Sequence, residues 1–395
     1  MLRPVLLLAI CVVAACGPTA VTPTPGTTAT PTLTASATPT PSPSASLDCA
    51  SRVLATMTPE QRIGQLFLLG LADDQLGPAE ANAIRTRHIG SVWFVEQSKA
   101  GVAAVRAVAD AVQALTGPQT TADVRFFVAA NQEGGIIQSL SGPGFSTIPS
   151  AFDQRTVDPL TLRSRAQQWG RELTAAGVNL NFAPVLDVVP AGTEAQNEPI
   201  GALKRGYGSE PAAVSAHAIA FMDGMDDAGV ATTGKHFPGL GRVKGNTDFT
   251  AVVVDSETTS TDPYLVPFRD AAEHGIPLMM VALAKYEKID AAELAVFSPI
   301  VMRQMLRGAL GYSGVIVSDD LGATVAVANI RPEDRAINFL SAGGDMIISK
   351  TVEPAIAMFE AIASRASLNA AFRSRVDDAA LRVLRLKAAR GLIRC

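Results

Sequence analysis

The sequence predicts an α/β fold, a single (β/α)8 TIM barrel, and two observations support that prediction. First, eight short apolar runs alternate with longer helical patterns over most of the 395 residues. Second, the runs are continuously apolar, as expected for strands that are covered on both faces. The runs are Gln65–Leu71, Gly90–Glu96, Arg125–Asn131, Asn179–Val188, Ala231–Phe237, Ile276–Leu283, Gly314–Asp319 and Asp345–Ser349.

Amphipathic stretches between these runs predict the helices of the barrel. They are Val102–Leu115, Pro159–Ala176, Pro211–Asp227 and Pro299–Leu310. A helix before the first run is indicated by Thr58, Pro59 and Gln61, which suit the N-cap, N1 and capping-box positions. An open doubly wound sheet is the alternative fold. The first run is not followed by a Gly-x-Gly-x-x-Gly motif, which argues against dinucleotide binding.

The amino-terminal residues 1–16 have the pattern of an export signal. Arg3 precedes the apolar run Val5–Ala15, which is too short to remain as a membrane-spanning helix. The ending Val13-Ala14-Ala15-Cys16 resembles a bacterial lipobox, which implies cleavage before Cys16 and lipid attachment to its sulfur. An ordinary signal peptide with a chance cysteine is the alternative. We expect an exported protein that is lipid-anchored to the outer face of the bacterial cell membrane.

Residues 17–48 are predicted to form a disordered tether, and residues 49–395 are predicted to form the folded domain. The tract 17–47 is rich in Thr, Pro, Ser and Ala and has no charge, so it cannot bury a core. At about 3.1 Å per residue in the polyproline form it would reach roughly 100 Å. Once Cys11 and Cys16 are assigned to the signal and the anchor, Cys49 and Cys395 remain. An oxidising exterior favours a disulfide between them, with two free thiols as the alternative.

Composition excludes one class of partner. The formal net charge of −4 provides no basic surface for nucleic acid, so we expect none to bind. We expect a monomer that binds a carbohydrate substrate and contacts the membrane only through its lipid anchor. No His and Cys residues occur at metal-ligand spacing, so we expect neither a metal nor a cofactor.

Polar residues follow the predicted strands, at the end of a barrel where active sites lie. They are Glu96, Asn131 to Gly135, Asp187, Lys235-His236, Lys285 and Ser318-Asp319-Asp320. A concave site lined with carboxylates suggests glycoside hydrolysis, in which one acid attacks and another donates a proton. Each residue also has a structural interpretation. Asp187 suits a loop cap, and Glu133 before two glycines suits a turn.

The order of several motifs resembles the β-N-acetylhexosaminidase branch of glycoside hydrolase family 3. The motifs are Gln132-Glu133-Gly134-Gly135, Asn181-Phe182-Ala183-Pro184-Val185-Leu186-Asp187, Arg205-Gly206-Tyr207-Gly208-Ser209-Glu210-Pro211, Lys235-His236-Phe237-Pro238-Gly239 and Val315-Ile316-Val317-Ser318-Asp319-Asp320-Leu321. The resemblance extends from about Met57 to Lys350. It implies a single (β/α)8 domain and a retaining two-step mechanism. Many members remove terminal N-acetylglucosamine during peptidoglycan turnover.

The resemblance also implies roles for individual residues. Asp319 matches the family's nucleophile, and a strand end would hold that carboxylate rigidly under the anomeric carbon. Asp320 is the alternative, but the strand would point it away from the centre of the rim. Lys235 and His236 match donors to sugar hydroxyls, although His236 also suits a buried structural role. Arg205 matches a sugar-contacting arginine after a slip of two residues.

Departures from the family pattern concern the same site. The substrate-contacting Asp and Arg of that pattern are here Asn131 and Ser139, so both charges are missing together. The family's Gly-His-Gly has Leu240 at its centre. The Asp-Ser-His loop that carries the family's acid/base histidine aligns with Asn246 to Asp248. We expect Asp248 to act as the acid/base, with a pKa raised by nearby Asp319 and by burial against Leu240 and Phe249 when the loop closes.

The leading hypothesis is therefore an active, exo-acting glycosidase for terminal β-linked N-acetylglucosamine-type sugars. A catalytically impaired barrel that binds cell-wall sugar, or serves as a structural lipoprotein, is the second hypothesis. A solute-binding lipoprotein is the third, but it requires two lobes and a hinge, which the eight strands argue against. Release of nitrophenol from an aryl N-acetyl-β-glucosaminide separates the first two.

Overall fold

A computed structural model describes residues 48–394, and the structural statements below concern that part of the chain. The signal and anchor at Cys16, the tether over residues 17–47 and the carboxyl-terminal Cys395 lie outside it and stay predictions. Within residues 48–394, no helix has both the length and the apolar character needed to cross a bilayer.

Eight parallel strands close into a barrel. They are β1 (Phe67–Leu71), β2 (Ser91–Phe94), β3 (Phe127–Ala130), β4 (Leu180–Asn181), β5 (Ala231–Phe237), β6 (Leu278–Val281), β7 (Val315–Asp320) and β8 (Met346–Ser349). Each strand pairs with its neighbours in chain order. The ring closes between β1 and β8, where Phe67 lies opposite Ile347, while Leu68 lies opposite Ser91 of β2. The predicted (β/α)8 fold is confirmed.

Helices connect and surround the strands. The α-helices are α1 (Cys49–Thr56), α2 (Pro59–Gly64), α3 (Pro78–Arg87), α4 (Val102–Gln113), α5 (Pro118–Thr121), α6 (Ala151–Gln154), α7 (Pro159–Ala175), α8 (Pro211–Asp227), α9 (Val266–Glu273), α10 (Pro332–Ala342), α11 (Val352–Leu368) and α12 (Ala370–Ala389). The start of α2 has the predicted capping box. The Thr58 hydroxyl accepts from the backbone of Gln61 at 3.2 Å, and the Gln61 side chain accepts from the backbone of Thr58 at 3.1 Å.

Two predicted elements differ from the structure. The run Asn179–Val188 contains only the two-residue strand β4, because Pro184 lacks the N–H group that a continuing strand needs. One isolated bridge, between Val185 and Lys235, keeps this segment beside β5. The stretch Pro299–Leu310 forms a π-helix over Ile300–Ala309 instead of an α-helix, with a last hydrogen bond that spans five residues.

Helix α12 covers the amino-terminal end of the barrel. Val383 and Leu392 pack against the barrel side chains of Leu68, Phe127 and Leu180. The backbone N–H of Arg125, just before β3, donates to the carbonyl of Leu392 at 2.9 Å. The last turn of the chain therefore closes the base of the barrel.

Helix α1 packs beside this carboxyl-terminal segment. Ala50 and Met57 form a small buried cluster with Leu384 and Ile393. Cys49, at the start of α1, is disulfide-bonded. Its predicted partner, Cys395, follows the last described residue, so that pairing stays a prediction.

Short strands in the loops flank the opposite, carboxyl-terminal end of the barrel. A hairpin after β3 pairs Gln132–Gly134 with Ile137–Gln138. A three-stranded sheet joins Val254–Asp255, Lys285–Tyr286 and Asp290–Leu294 from the loops that follow β5 and β6. These elements stiffen the loops around the polar strand ends.

Candidate active site

A cavity of about 500 Å³ opens at the carboxyl-terminal ends of the strands. It brings together all of the catalytic and substrate-binding residues that the sequence predicts. They are Asn131, Arg205, Lys235, His236, Asp248 and Asp319. The parallel arrangement explains this convergence, because residues distant in sequence meet at one end of a closed barrel.

Glu133 contacts two of these residues, Arg205 and Lys235. Its carboxylate accepts two hydrogen bonds from the Arg205 guanidinium, at 2.8 and 2.9 Å. The Lys235 ammonium lies 2.6 Å from the same carboxylate. The side chains of Glu133 and Lys235 are only 3% and 2% exposed, so this is a buried charge cluster. The sequence places Glu133 among the residues at the strand ends, but no local pattern reveals its contacts with Arg205 and Lys235.

The charges in this cluster determine one another's protonation. Burial alone would raise the pKa of Glu133, but the positive charges of Arg205 and Lys235 outweigh it and hold the pKa at about 2. Burial lowers the pKa of Lys235, and Glu133 opposes that change. Glu133 is therefore ionised at any physiological pH. Two cations surround one carboxylate, and the excess positive charge faces Asp319.

Asn131 completes the coordination of Lys235. The amide oxygen of Asn131 accepts from the Lys235 ammonium at 2.9 Å. The Asn131 carbonyl accepts from the backbone N–H of Ser139 at 2.9 Å, so the two positions that depart from the family pattern are neighbours. A neutral amide at 131 leaves Glu133 as the carboxylate that contacts Lys235.

His236 is oriented by a second buried acid. Its Nδ1 lies 2.8 Å from Oδ2 of Asp187, while Oδ1 of Asp187 accepts from the backbone N–H groups of His236 and Leu240 at 3.2 and 2.8 Å. An ionised carboxylate can only accept, so the Nδ1 atom carries the hydrogen. Asp187 thus has the loop-capping role expected of it, and a further role in orienting the His236 ring that the sequence did not reveal.

The two acids at the end of β7 have different surroundings. The Asp320 carboxylate accepts from the backbone of Gly322 and Lys350, both at 2.8 Å, and of Ala323 at 3.1 Å. Burial raises the pKa of Asp320, and these hydrogen bonds oppose the rise. Asp319 accepts one hydrogen bond within residues 48–394, from the backbone of Asp320 at 2.8 Å. Asp320 holds the loop, and Asp319 is available to a ligand in the cavity.

Asp248 lies on a short loop after β5, which internal hydrogen bonds hold in shape. The Asn246 side chain accepts from the backbone of Asp248 at 3.0 Å, and the Asn246 carbonyl accepts from the backbone of Thr250 at 2.8 Å. The loop also contacts its surroundings, since the backbone of Ala326 donates to the Thr247 carbonyl at 3.1 Å. Asn246 therefore acts as a turn residue here.

The surroundings of Asp248 raise its pKa. The residue is accessible through the open mouth of the cavity, yet the walls remove part of its hydration. That desolvation is the main cause of the raised pKa, and the negative charge of Asp319 adds to it, against the opposing charges of Arg205 and His236. Phe249 lines the same cavity but is 80% exposed, so it does not cover Asp248 in this structure. Its packing against Asp248 on closure of the loop stays a prediction.

Apolar side chains form another part of the cavity wall. Trp93 and Phe182 make an edge-to-face contact with ring centroids 5.8 Å apart, and Met280 and Ile348 lie beside the same cavity. Such a wall suits the C–H faces of a sugar ring. These residues were missed because apolar strand residues that line a site have the same sequence pattern as core residues.

Two predicted rim residues lie apart from the central cluster. The Lys285 side chain donates to the carbonyl of Ala291 at 3.1 Å, within the three-stranded sheet. Glu96 lies 3.7 Å from the ammonium of Lys350, a residue at the cavity edge. Over residues 48–394, no group of three or more His, Cys, Asp or Glu side chains has the arrangement of a metal site.

Comparison with known proteins agrees with this geometry. Residues 58–386 match the family described as glycosyl hydrolase family 3 N terminal domain. The chain is 34% identical over 292 residues to a beta-hexosaminidase of Alkalilimnicola ehrlichii, which covers 71% of this chain and 79% of that protein. It is 29% identical over 343 residues to beta-hexosaminidase LpqI of Mycobacterium tuberculosis, which covers 84% of each chain.

A solved structure has the same architecture. The crystal structure of a beta-N-acetylhexosaminidase from Beutenbergia cavernae matches with a TM-score of 0.82 and 43% sequence identity. The match covers 85% of this chain and 99% of the other. The match to the family over residues 58–386, together with these relatives, shows that the chain belongs to glycosyl hydrolase family 3.

Proposed function

We propose that the protein is a retaining, exo-acting glycosidase that hydrolyses terminal β-linked N-acetylglucosamine-type sugars, and that it acts in the turnover of cell-wall saccharides. One observation carries the mechanism: Asp319 and Asp248 line one cavity, and the charge of Asp319 helps to raise the pKa of Asp248. Glycoside hydrolysis requires two carboxyl groups at one site, of which one has a raised pKa and can donate a proton. The names of the family relatives support the substrate class.

In the first step, Asp319 acts as the nucleophile. An oxygen of its carboxylate bonds to the anomeric carbon while the bond from that carbon to the leaving oxygen breaks. Asp248 gives its proton to the leaving oxygen, which departs as an alcohol. Arg205 and Lys235 lie near enough to Asp319 to interact with its charge.

In the second step, a water molecule replaces the enzyme at the anomeric carbon. Asp248, now ionised, takes a proton from the water as the oxygen of that water attacks. The bond to Asp319 breaks, and both carboxyl groups return to their starting states. Two displacements at the same carbon retain the β configuration of the released sugar.

Sugar recognition falls to the residues around Asp319. Arg205, Lys235 and His236 present N–H groups or a ring nitrogen to the cavity, and Asn131 holds the lysine in place. Because the guanidinium and the ammonium are fixed by Glu133, they are oriented before the substrate arrives. Hydroxyl groups of a neutral ring then bind to charged donors.

A trapping experiment tests this proposal. A 5-fluoro derivative of an activated N-acetylglucosaminyl donor slows the second step, so that the glycosyl group accumulates on the nucleophile. Mass spectrometry of the digested protein is expected to find it on the peptide that contains Asp319. Hydrolysis of the parent aryl glycoside without modification of that peptide would contradict the assignment. No hydrolysis by the wild-type protein would contradict the proposed function.

We also propose that the protein acts outside the cell membrane, anchored through a lipid on Cys16. The support is the sequence alone: the apolar run Val5–Ala15, the lipobox-like ending and the uncharged tract 17–47. The disulfide at Cys49 agrees with an oxidising compartment. Mass spectrometry of the membrane-bound protein tests the anchor, because lipid on Cys16 adds a diacylglycerol mass that Cys16→Ala cannot carry.

A further inference from the structure

The carboxyl-terminal segment has a charge opposite to that of the whole chain. Residues 370–395 contain six arginines and one lysine against two aspartates, whereas the chain as a whole has a net charge of −4. Most of this segment is α12, which covers the base of the barrel. Positive charge is therefore concentrated on the face opposite the candidate active site. Such an asymmetry indicates an anionic partner.

A wide cleft lies on this face. Its volume is about 720 Å³, and it runs between α12 and the segments that lead into β6 and β7. Four arginines line it, which together we call the basic face: Arg307, Arg382, Arg385 and Arg390. The lining includes one acid, Asp226, which pairs with Arg390. The remaining lining is uncharged, so guanidinium groups supply most of the charge of the cleft.

A single buried carboxylate, Asp345, pairs with three guanidinium groups, and two of these belong to arginines that line the cleft. Asp345 is completely buried and accepts from Arg307, from Arg375 at 2.7 Å and from Arg382 at 3.3 Å. Burial lowers the pKa of Arg307, and the charges of Arg382 and Arg375 lower it further against the opposing pull of Asp345. Positive charge is therefore left over in the cleft, and the arginines are held in position for a further anion.

The tether leaves the folded domain beside this cleft. Asp48 is the first described residue, and its carboxylate lies 2.9 Å from the guanidinium of Arg385. The preceding 47 residues, with the expected lipid on Cys16, therefore join the domain at the rim of the basic face.

We propose that the basic face docks on the anionic phospholipid headgroups of the membrane to which the chain is tethered. Arginine suits this role because its planar guanidinium binds phosphate oxygens through two parallel hydrogen bonds. Basic residues near an anionic bilayer are attracted to the surface potential. The protein then contacts the membrane through its fold as well as its lipid, which revises the expectation of an anchor alone.

Docking through the base determines which way the candidate active site faces relative to the membrane. The base of the barrel and its carboxyl-terminal mouth are opposite ends of one closed fold. With the basic face on the bilayer, Asp319 and Asp248 face away from the membrane, towards the space that holds polymeric saccharides. A tether of roughly 100 Å alone would leave the orientation of the domain random.

Vesicle binding tests this proposal. The mature chain is produced with Cys16→Ser, so that no lipid is attached, and is sedimented with vesicles. We expect it to bind equimolar phosphatidylcholine and phosphatidylglycerol, to release at high salt, and not to bind phosphatidylcholine alone. The double variant Arg385→Gln/Arg390→Gln is expected to bind the anionic vesicles about 25-fold more weakly, at roughly fivefold for each arginine.

A second double variant provides the matched control. Arg106→Gln/Arg163→Gln removes the same charge from exposed sites on α4 and α7, and we expect its binding to change less than twofold. Hydrolysis of an aryl glycoside reports folding in both variants. Equal losses in the two variants would overturn the proposal, because net charge alone would explain them. Binding of soluble inorganic polyphosphate, without binding to anionic vesicles, would also overturn it.

Discussion

His236 and Asp187 form a hydrogen bond of 2.8 Å in which the acid is completely buried. The bond fixes the plane of the imidazole and places the hydrogen on Nδ1, which leaves Nε2 for a ligand in the cavity. The same carboxylate accepts two backbone N–H groups of the following loop. A change at Asp187 therefore affects both the orientation of a sugar-binding residue and the loop itself.

Asp187→Asn is predicted to lower both stability and activity. The asparagine side chain keeps one acceptor oxygen, but its NH2 group replaces the other oxygen and cannot accept. At least one of the buried N–H groups that now donate to Asp187 is then left unpaired, at a cost of about 1–3 kcal/mol. The His236 ring also loses its ionised partner, and we expect kcat/KM to fall at least tenfold. Thermal unfolding and steady-state kinetics measure the two effects. An unchanged Tm with unchanged kinetics would show that the buried acid has neither role.

Asp319→Asn is predicted to abolish turnover and leave the fold intact. The residue is half-buried and accepts one backbone hydrogen bond, which the asparagine oxygen can also accept. Loss of the nucleophile prevents the first displacement, so we expect kcat to fall by roughly three orders of magnitude or more. Asp320→Asn is the comparison, since Asp320 holds three backbone groups and should affect Tm more than kcat.

Asp248→Ala is predicted to separate two kinds of substrate. An aryl glycoside with a good leaving group needs little protonation, so its first step should keep a substantial rate. A natural disaccharide needs the proton and should lose nearly all of its rate. Single-turnover kinetics on both substrates measure the difference. Equal, small effects on both would mean that another group donates the proton.

The same residue determines the pH dependence of the wild-type reaction. A general acid works only when protonated, so the rate should fall as pH rises through the raised pKa of Asp248. We therefore predict an optimum on the acidic side, with the falling limb set by deprotonation of Asp248. In Asp248→Ala the limb on the alkaline side should disappear for the aryl substrate.

Glu133 is predicted to make stability sensitive to acid. Its pKa falls from an ordinary 4.5 to about 2 in the folded protein, so folding favours the ionised form. The resulting stability, about 3 kcal/mol, is fully present above pH 4.5 and is lost as the pH falls towards 2. Glu133→Gln should be much less stable at neutral pH, because Arg205 and Lys235 lose their shared counter-charge. Denaturant unfolding from pH 3 to 7 should show the two proteins converging in acid.

Lys387 is predicted to make stability depend on pH on the alkaline side, where stability again rises with pH. Its ammonium is fully buried under the barrel, donates to Gln65 and to the Gly90 carbonyl at 2.7 Å, and lies 5.5 Å from the centre of the Phe127 ring. Burial lowers the pKa of Lys387 to about 7, and a neutral amine keeps the two N–H groups that these acceptors need.

The unfolded chain keeps the Lys387 proton up to a pKa of about 10.5, so stability should rise between pH 7 and that value. Relative to Lys387→Met, the wild type should gain about 2–3 kcal/mol in the free energy of unfolding between pH 7 and pH 9. Denaturant unfolding of both proteins at the two pH values measures this gain. A constant difference between them would contradict the assignment.

The sequence predicts the barrel well because its signals are local and repeated. Each apolar run matches a strand, and Thr58 with Gln61 marks the start of a helix that the structure confirms. The exceptions have local causes. Pro184 shortens β4, and the π-helix at Ile300–Ala309 has an apolar pattern that also suits an α-helix.

The site is less predictable, because its parts act through contacts between distant residues. Lys235 and Asp319 can be predicted as site residues because each stands at the end of a predicted strand, and the carboxyl ends of all the strands lie at one end of the barrel. The links from Glu133 to Arg205 and from Asp187 to His236 span 72 and 49 residues. No local pattern encodes such a pairing. The exposed position of Phe249 also depends on the shape of a loop, which residue type alone does not determine.

The base of the barrel is covered by α12 and the residues that follow it, which has a consequence for the order of folding. Val383, Lys387 and Leu392 cover Leu68 and Phe127, so the barrel interior stays open to water until α12 docks. These contacts join residues that are far apart in the sequence, and such contacts form slowly because a long loop has to be closed first. Docking of α12 is therefore the step that seals the interior.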